Sequence, residues 1–115
     1  TRKAASKAGC DKMLRILGRQ YWDDAILSTV PPEVKTASKS GAISRSRSDC
    51  AIVFSSNPYI LTVYTDNQKD QRWAPDNEGD QAIIAVAKEM RLPLKPGVDT
   101  LARLLAVMSR MAWWW

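Results

Sequence analysis

Lys39-Ser40-Gly41 closes the alternating run Val34-Lys35-Thr36-Ala37-Ser38 and is followed by Arg47 and Asp49. An ammonium, a hydroxyl donor and a backbone left bare by glycine, set side by side at the tip of a strand, can engage one anionic ligand. Taken alone the tripeptide is common in surface loops. Lys39 and Arg47 then read as solvated strand-end charges, Ser40 as a turn residue and Gly41 as a steric need of a hairpin. The surrounding chain decides between the two readings.

Other chemistries are narrowed by what the chain carries. It has no histidine and only two cysteines, Cys10 and Cys50, so no Cys/His zinc cluster can be assembled and no metal or cofactor is expected. Every His-dependent triad is likewise removed, and a general base would have to be Lys, Asp, Glu or a group from a partner. Cys10 falls on a predicted helix and Cys50 on a predicted strand. Two buried free thiols are expected rather than a disulfide.

With 115 residues, 45% apolar and 25% charged, the chain has the balance of one modest globular domain. No apolar run reaches the roughly 18 residues that would suggest a membrane span. No secretory signal pattern stands at the front. A start at Thr1 rather than Met suggests a processed, trimmed or excised product. The net charge of +5 is concentrated. Residues 1–20 hold Arg2, Lys3, Lys7, Lys12, Arg15 and Arg19 against Asp11 alone, while the remainder is balanced at 11 positives and 11 negatives. The segment is read as the solvated face of a basic helix, with neither nucleic acid nor membrane as a partner. Tyr21 and Trp22 follow the cations rather than interleaving with them, so no base-stacking pattern is present.

The elements that must position Lys39 follow from periodicity. Ser6 caps a first helix with an apolar stripe of Met13, Leu14, Ile16 and Leu17, ended by Gly18. Residues 20–33 connect, with Ile26, Leu27 and Val30 as anchors and Pro31-Pro32 enforcing extended entry. Strands are predicted over Val34–Lys39, Cys50–Ser55 and Tyr59–Thr65, the last two joined through Ser56-Asn57-Pro58. Consecutive apolar residues Ala51-Ile52-Val53-Phe54 imply a sheet covered on both faces. After a polar loop holding Trp73, Asn77 or Asp76 caps a helix from Glu78 to Leu92 that packs through Ile83, Ile84, Val86, Ala87 and Met90. Pro93, Pro96 and Gly97 break the chain, and Asp99 caps a last helix striped by Leu101, Leu104, Leu105, Met108, Met111 and Trp115.

The string Met13-Leu14-Arg15-Ile16-Leu17, Gln20, Leu27, Val30-Pro31-Pro32-Glu33-Val34-Lys35, Lys39-Ser40-Gly41, Arg47 and Asp49 resembles the C-terminal part of a class A β-lactamase, of the penicillin-recognising serine hydrolases. The likeness continues through Ala51-Ile52-Val53, Pro58-Tyr59 and Leu61-Thr62-Val63-Tyr64-Thr65 to Met90, covering about Ser6 to Leu92. It implies an α+β fold in which a three-stranded antiparallel sheet of sequential hairpins is flanked by helices. That unit is the C-terminal part of the β-lactamase α/β subdomain, here residues 1–92, with 93–115 as an appended amphipathic helix. By this resemblance Lys39 supplies positive potential beside a nucleophile and helps proton movement. Ser40 donates to a substrate carboxylate, Gly41 lets substrate lie along the strand, the Ala42 amide forms one oxyanion arm, and Arg47 is a second carboxylate anchor. Asp49 is expected to be a structural turn or ion-pair residue. The family setting implies a bacterial periplasmic or secreted protein, and a β-lactam or D-Ala-D-Ala-like ligand once an N-terminal half completes the site.

Three departures qualify the resemblance. The Ser-x-x-Lys nucleophile, the Ser-Asp-Asn loop and the deacylating glutamate of the family are not matched. Ser6, Ser38 and Ser44 have glycine or arginine three residues on, and an arginine, always protonated, cannot take a serine's proton. Ser44 and Arg45 stand where relatives carry a turn glycine, which puts the reach of Arg47 in question. The tail 93–115 exceeds the family pattern. It is read foremost as a helix covering bare sheet, and alternatively as a membrane-interface helix or as non-native sequence. The expected function is therefore a β-lactamase-like fragment that is inactive alone. The alternatives are a non-catalytic binding module using the basic N-terminal helix and a piece of a D-alanyl-D-alanine peptidase-like protein.

Overall fold

In the computed structural model, which describes residues 5–91, the Ser6 hydroxyl accepts the Gly9 N–H at 3.1 Å and so starts helix α1, Lys7–Leu17. The helix stops at Gly18, whose N–H donates to Leu14 O at 2.9 Å. A single 3-10 turn, Leu27–Thr29, follows, and then strands β1 (Thr36–Ile43), β2 (Ser46–Val53) and β3 (Tyr59–Thr65) and helix α2 (Glu78–Arg91). The architecture is α+β, and the last helix and tail expected over 93–115 lie outside the described residues.

The sheet is antiparallel throughout, in the order β1-β2-β3. Directly opposed residues share a face. One face therefore gathers Arg47, Asp49, Ala51 and Val53 of β2 with Ala42, Ser40, Ser38 and Thr36 of β1 and Thr65, Val63, Leu61 and Tyr59 of β3. The other gathers Ser48, Cys50 and Ile52 with Gly41, Lys39 and Ala37, and with Tyr64, Thr62 and Ile60. Along β2 the first set is buried and the second half-buried, as a strand with one packed side requires.

Helix α2 and the 3-10 turn cover the first face. Ile83 and Ala87 of α2 close on Ala51 and Leu61, with Ala25 and Ile26 completing the core and Val63, Val86 and Met90 at its margin. Full burial of a side chain such as Ile83 stabilises by about 1.5–3 kcal/mol. The expected packing face of α2 is thus borne out for Ile83, Val86, Ala87 and Met90, while Ile84 does not join this cluster.

Four expectations are corrected. β1 and β2 extend inward to the tight turn Ser44-Arg45, so Lys39 is a mid-strand residue rather than a strand tip. The second face is covered only in part: Ala37 is buried on β1, the strand that α1 contacts, but Ile60 is 69% exposed and Tyr64 75%. The stripe of α1 does not enter a core, since no residue of α1 is buried. Cys10 and Cys50 are free as expected but only half-buried.

The N-terminus of α2 is tightly seated around Gly79. Asn77 caps it, accepting the Gly79 N–H on Oδ1 at 2.9 Å. A Cβ on Gly79 would lie 2.9 Å from both Arg47 Cγ and Thr65 Oγ1 and would collide with Gln68 Oε1. Gln68 cannot retreat, because Nε2 donates to Asn77 Oδ1 and Asp70 O, each at 3.0 Å, and Thr65 Oγ1 lies 3.1 Å from Oε1. Gly→Ala in a helix ordinarily gains up to about 1 kcal/mol. Here overpacking reverses the sign: Gly79→Ala is expected to lose about 1–3 kcal/mol in urea unfolding, and a gain would show that the seat has slack.

Candidate functional site

β1 is an edge strand among the described residues, so alternate N–H and C=O groups of Lys39–Ile43 point away from the sheet without a strand partner. Lys39 projects on the less covered face opposite Cys50, and its Nζ donates to Ser40 O at 2.5 Å. Ser40 is half-buried on the other face, opposite Asp49. Gly41 faces Ser48, whose hydroxyl donates to Gly41 O at 3.3 Å, and a Cβ on Gly41 would stand 2.9 Å from that hydroxyl oxygen. Ala42 is exposed and opposes Arg47. A ligand lying along this edge meets side chains from both faces and bare backbone between them.

Arg47 is placed differently from the open-ended cation read in the sequence. It is 4% exposed. Nε donates to Asp80 Oδ2 at 3.3 Å, Nη1 to Ile43 O and, at 3.0 Å, to Ser46 O, and Nη2 to Arg72 O at 2.9 Å. Four of the five guanidinium N–H groups are thereby used. The Trp73 ring covers the cation at 4.9 Å from its centroid. One side chain fastens the β1–β2 turn, the 66–77 loop and α2 together.

The turn lacking glycine closes by other means. Neither Ser44 nor Arg45 takes a positive φ; among the described non-glycine residues only Asn67 does, at 58°. Ser46 Oγ donates to Thr65 O at 2.6 Å, the Gln68 N–H to Arg45 O at 3.2 Å, and the Arg45 guanidinium to Asn67 Oδ1. Outside contacts hold a geometry that glycine would otherwise permit.

Asp49 is 5% exposed. Its Oδ2 accepts the Ile26 N–H at 2.9 Å and ties the 3-10 turn to β2, while Oδ1 has no hydrogen-bond partner among the described residues. Burial pushes its carboxyl above the ordinary 3.8, outweighing the Ile26 and Cys50 amides, with Asp24 and Asp80 adding repulsion. Asp80 is also raised, by burial against the pull of Arg47. Asp70 is the opposite case, held down to about 2 by hydrogen bonds from Arg72. The role expected for Asp49 was structural, and its geometry is that of a tether. No group of Cys, Asp or Glu suited to a metal ion occurs among the described residues.

Sequence reasoning did not find Asp80, Gln68 or the Arg47–Trp73 stack. Asp80 had a usable signal as an acid in the first turn of a capped helix. Gln68 had none, because its role depends on the packing of a loop whose path periodicity does not describe.

The antiparallel sheet of this order with a capped helix across one face matches part of the fold of solved β-lactamases. The structure superposes on the class A β-lactamase from Mycobacterium abscessus with a TM-score of 0.61 at 20% identity, covering 75% of this chain and 33% of that one. For the β-lactamase from Francisella tularensis the TM-score is 0.56 at 24% identity, over 74% and 34%. The chain thus spans about a third of the length of these enzymes. A search of curated proteins finds no match. The model of the β-lactamase enzyme family matches residues 1–91, and the chain belongs to that family.

Because its folded value is raised, Asp49 favours the folded state most below 3.8, and that contribution is lost as pH rises through the raised value. Asp49→Asn keeps an acceptor for Ile26 and does not ionise. Its stability relative to the parent, measured by urea unfolding, is expected to increase from pH 3.8 to neutrality. A pH-independent difference would show that Asp49 is not desolvated.

Proposed function

We propose that residues Lys39–Ala42 form the substrate-carboxylate and oxyanion wall of a serine enzyme acting on β-lactams, and that this chain alone does not turn them over. The observation that carries the reading is the unpartnered edge of β1 bearing Lys39-Ser40-Gly41-Ala42 in a chain of the β-lactamase family. On this reading the Lys39 ammonium provides positive potential along the edge and the Ser40 hydroxyl donates to the ligand carboxylate. Gly41 admits the ligand close to the strand, and the Ala42 N–H is one arm of an oxyanion hole. Arg47 acts as a positioning residue: its bond to Ile43 O holds the peptide next to Ala42, and its one uncommitted N–H is the most it can offer a ligand directly.

The inactivity follows from proton transfer. No serine of the chain has a lysine three residues on, and no Ser-Asp-Asn occurs. Without a base in reach a serine hydroxyl is a weak nucleophile at neutral pH. Completion by a further polypeptide carrying those groups would restore the chemistry, and both lactamase and D-alanyl-D-alanine peptidase outcomes use the same wall.

The pure chain is expected to hydrolyse a chromogenic cephalosporin no faster than buffer. Turnover that is abolished by Lys39→Ala would overturn the proposal, since it would place a complete site on this chain.

A further inference from the structure

Three cations meet in a groove that the β-lactam reading does not use. It runs between the end of α1 and the entry to β1 and has a volume of about 580 Å³, with Arg15 and Arg19 on one side and Lys35 on the other. That size lies within the roughly 300–1,000 Å³ of small-molecule sites. Gly18 sets the separation of the two sides: a Cβ there would stand 3.2 Å from Leu14 O and 3.4 Å from Thr36 O, so glycine lets the helix end rest against the strand. Lys35 is placed by Phe54, whose ring centroid lies 5.6 Å from Nζ. The acid of the groove, Asp11, is already paired with Lys7 at 2.6 Å, whereas Arg15, Arg19 and Lys35 have no ion pair among the described residues. Position in the last turn of α1, where a cation favours the helix dipole, accounts for Arg15 but not for Lys35. Like charges gathered in this way repel, and a bound anion removes the repulsion. Both sides of the groove belong to this chain, so the convergence does not depend on what lies against the outer face of α1.

We propose that the groove between α1 and β1 binds a small polyanion of the diphosphate class. Two guanidiniums offer paired N–H donors that fit phosphate oxygens, and the ammonium adds a third positive point. Three positive charges around one groove suit a ligand of several negative charges better than a monocarboxylate, which a single arginine would satisfy. The groove opens at the start of β1, whereas Lys39–Ala42 lie toward its other end. The proposal therefore goes beyond the β-lactam reading and does not depend on it.

Titration of the full chain with sodium pyrophosphate, followed by two-dimensional amide NMR at about 0.1 M salt, tests it. Saturable binding is expected with a dissociation constant below about 1 mM, with shifts concentrated at residues 14–19 and 35–36. Arg15→Gln and Lys35→Gln change exposed side chains and are each expected to weaken binding roughly tenfold. Lys88→Gln removes the same charge from an exposed position on α2 and is expected to leave binding within about twofold. Amides far from each substitution keep their positions if the variant stays folded. Titration with ADP separates the two sources of the ligand: equal affinity assigns the groove to the diphosphate itself, and tighter binding assigns it to an organic diphosphate. Four results would overturn the proposal: no saturable shift, shifts centred away from the groove, equal shifts with sodium chloride at matched ionic strength, or a loss with Lys88→Gln equal to that with Arg15→Gln. The last would reduce the binding to net charge.

Discussion

Everything about the described fold converges on the burial of one guanidinium. Arg47 carries a full charge at 4% exposure, and such a charge is tolerated only when nearly all its donors are met. Its partners come from four places: the last residue of β1, the first residue of β2, the 66–77 loop and the first turn of α2. Moving any one of them leaves a desolvated donor behind. The constraint propagates outward through Thr65, Gln68, Asn77 and Gly79, whose mutual bonds leave no room for a side chain at Gly79. A three-stranded sheet with one helix across it is a small scaffold, and the polar clamp makes its hairpin specific where apolar burial alone would not.

That clamp also explains how the candidate wall can be ordered at a sheet edge. Edge strands tend to fray because half of their backbone groups lack partners. The end of β1 is held instead from the far side of the sheet, through Ile43 O and the turn. Asp49 does the same for the 3-10 turn by accepting from Ile26, with its other carboxylate oxygen unbonded among the described residues. Both residues act through what they hold in place, and the groups left facing outward are those of Lys39 to Ala42. The chain spans about a third of the solved class A enzymes it resembles. The exposure of Ile60, Tyr64, Met13 and Ile16 is what a partial copy of a larger layered fold would show.

Much of the fold was legible in the sequence because its signals are local. Ser6, Gly18 and Asn77 mark helix ends through hydrogen bonds made within a few residues, and the apolar face of α2 repeats with the helical period. β3 was bounded correctly by proline and by the polar run after Thr65. β1 and β2 were drawn too short at the turn because Ser40-Gly41 and Ser46 to Asp49 carry no apolar residue to mark a strand. Their pairing is supported by Arg47, Ser46 and Gln68 from outside the strands. The motif Lys39-Ser40-Gly41 was legible as a unit, but its edge position was not. Whether Arg47 points outward or inward depends on Asp80, thirty-three residues away, and no local pattern carries that information.

The most direct test of this account is amide hydrogen exchange in Arg47→Met, which keeps the aliphatic stem and removes the donors. With the guanidinium as the clamp, protection is expected to fall sharply across residues 39–48 and 66–77 while the α2 core around Ile83 and Ala87 keeps most of its own. Unchanged protection in the hairpin would contradict the account, because the candidate wall would then be held by the sheet alone.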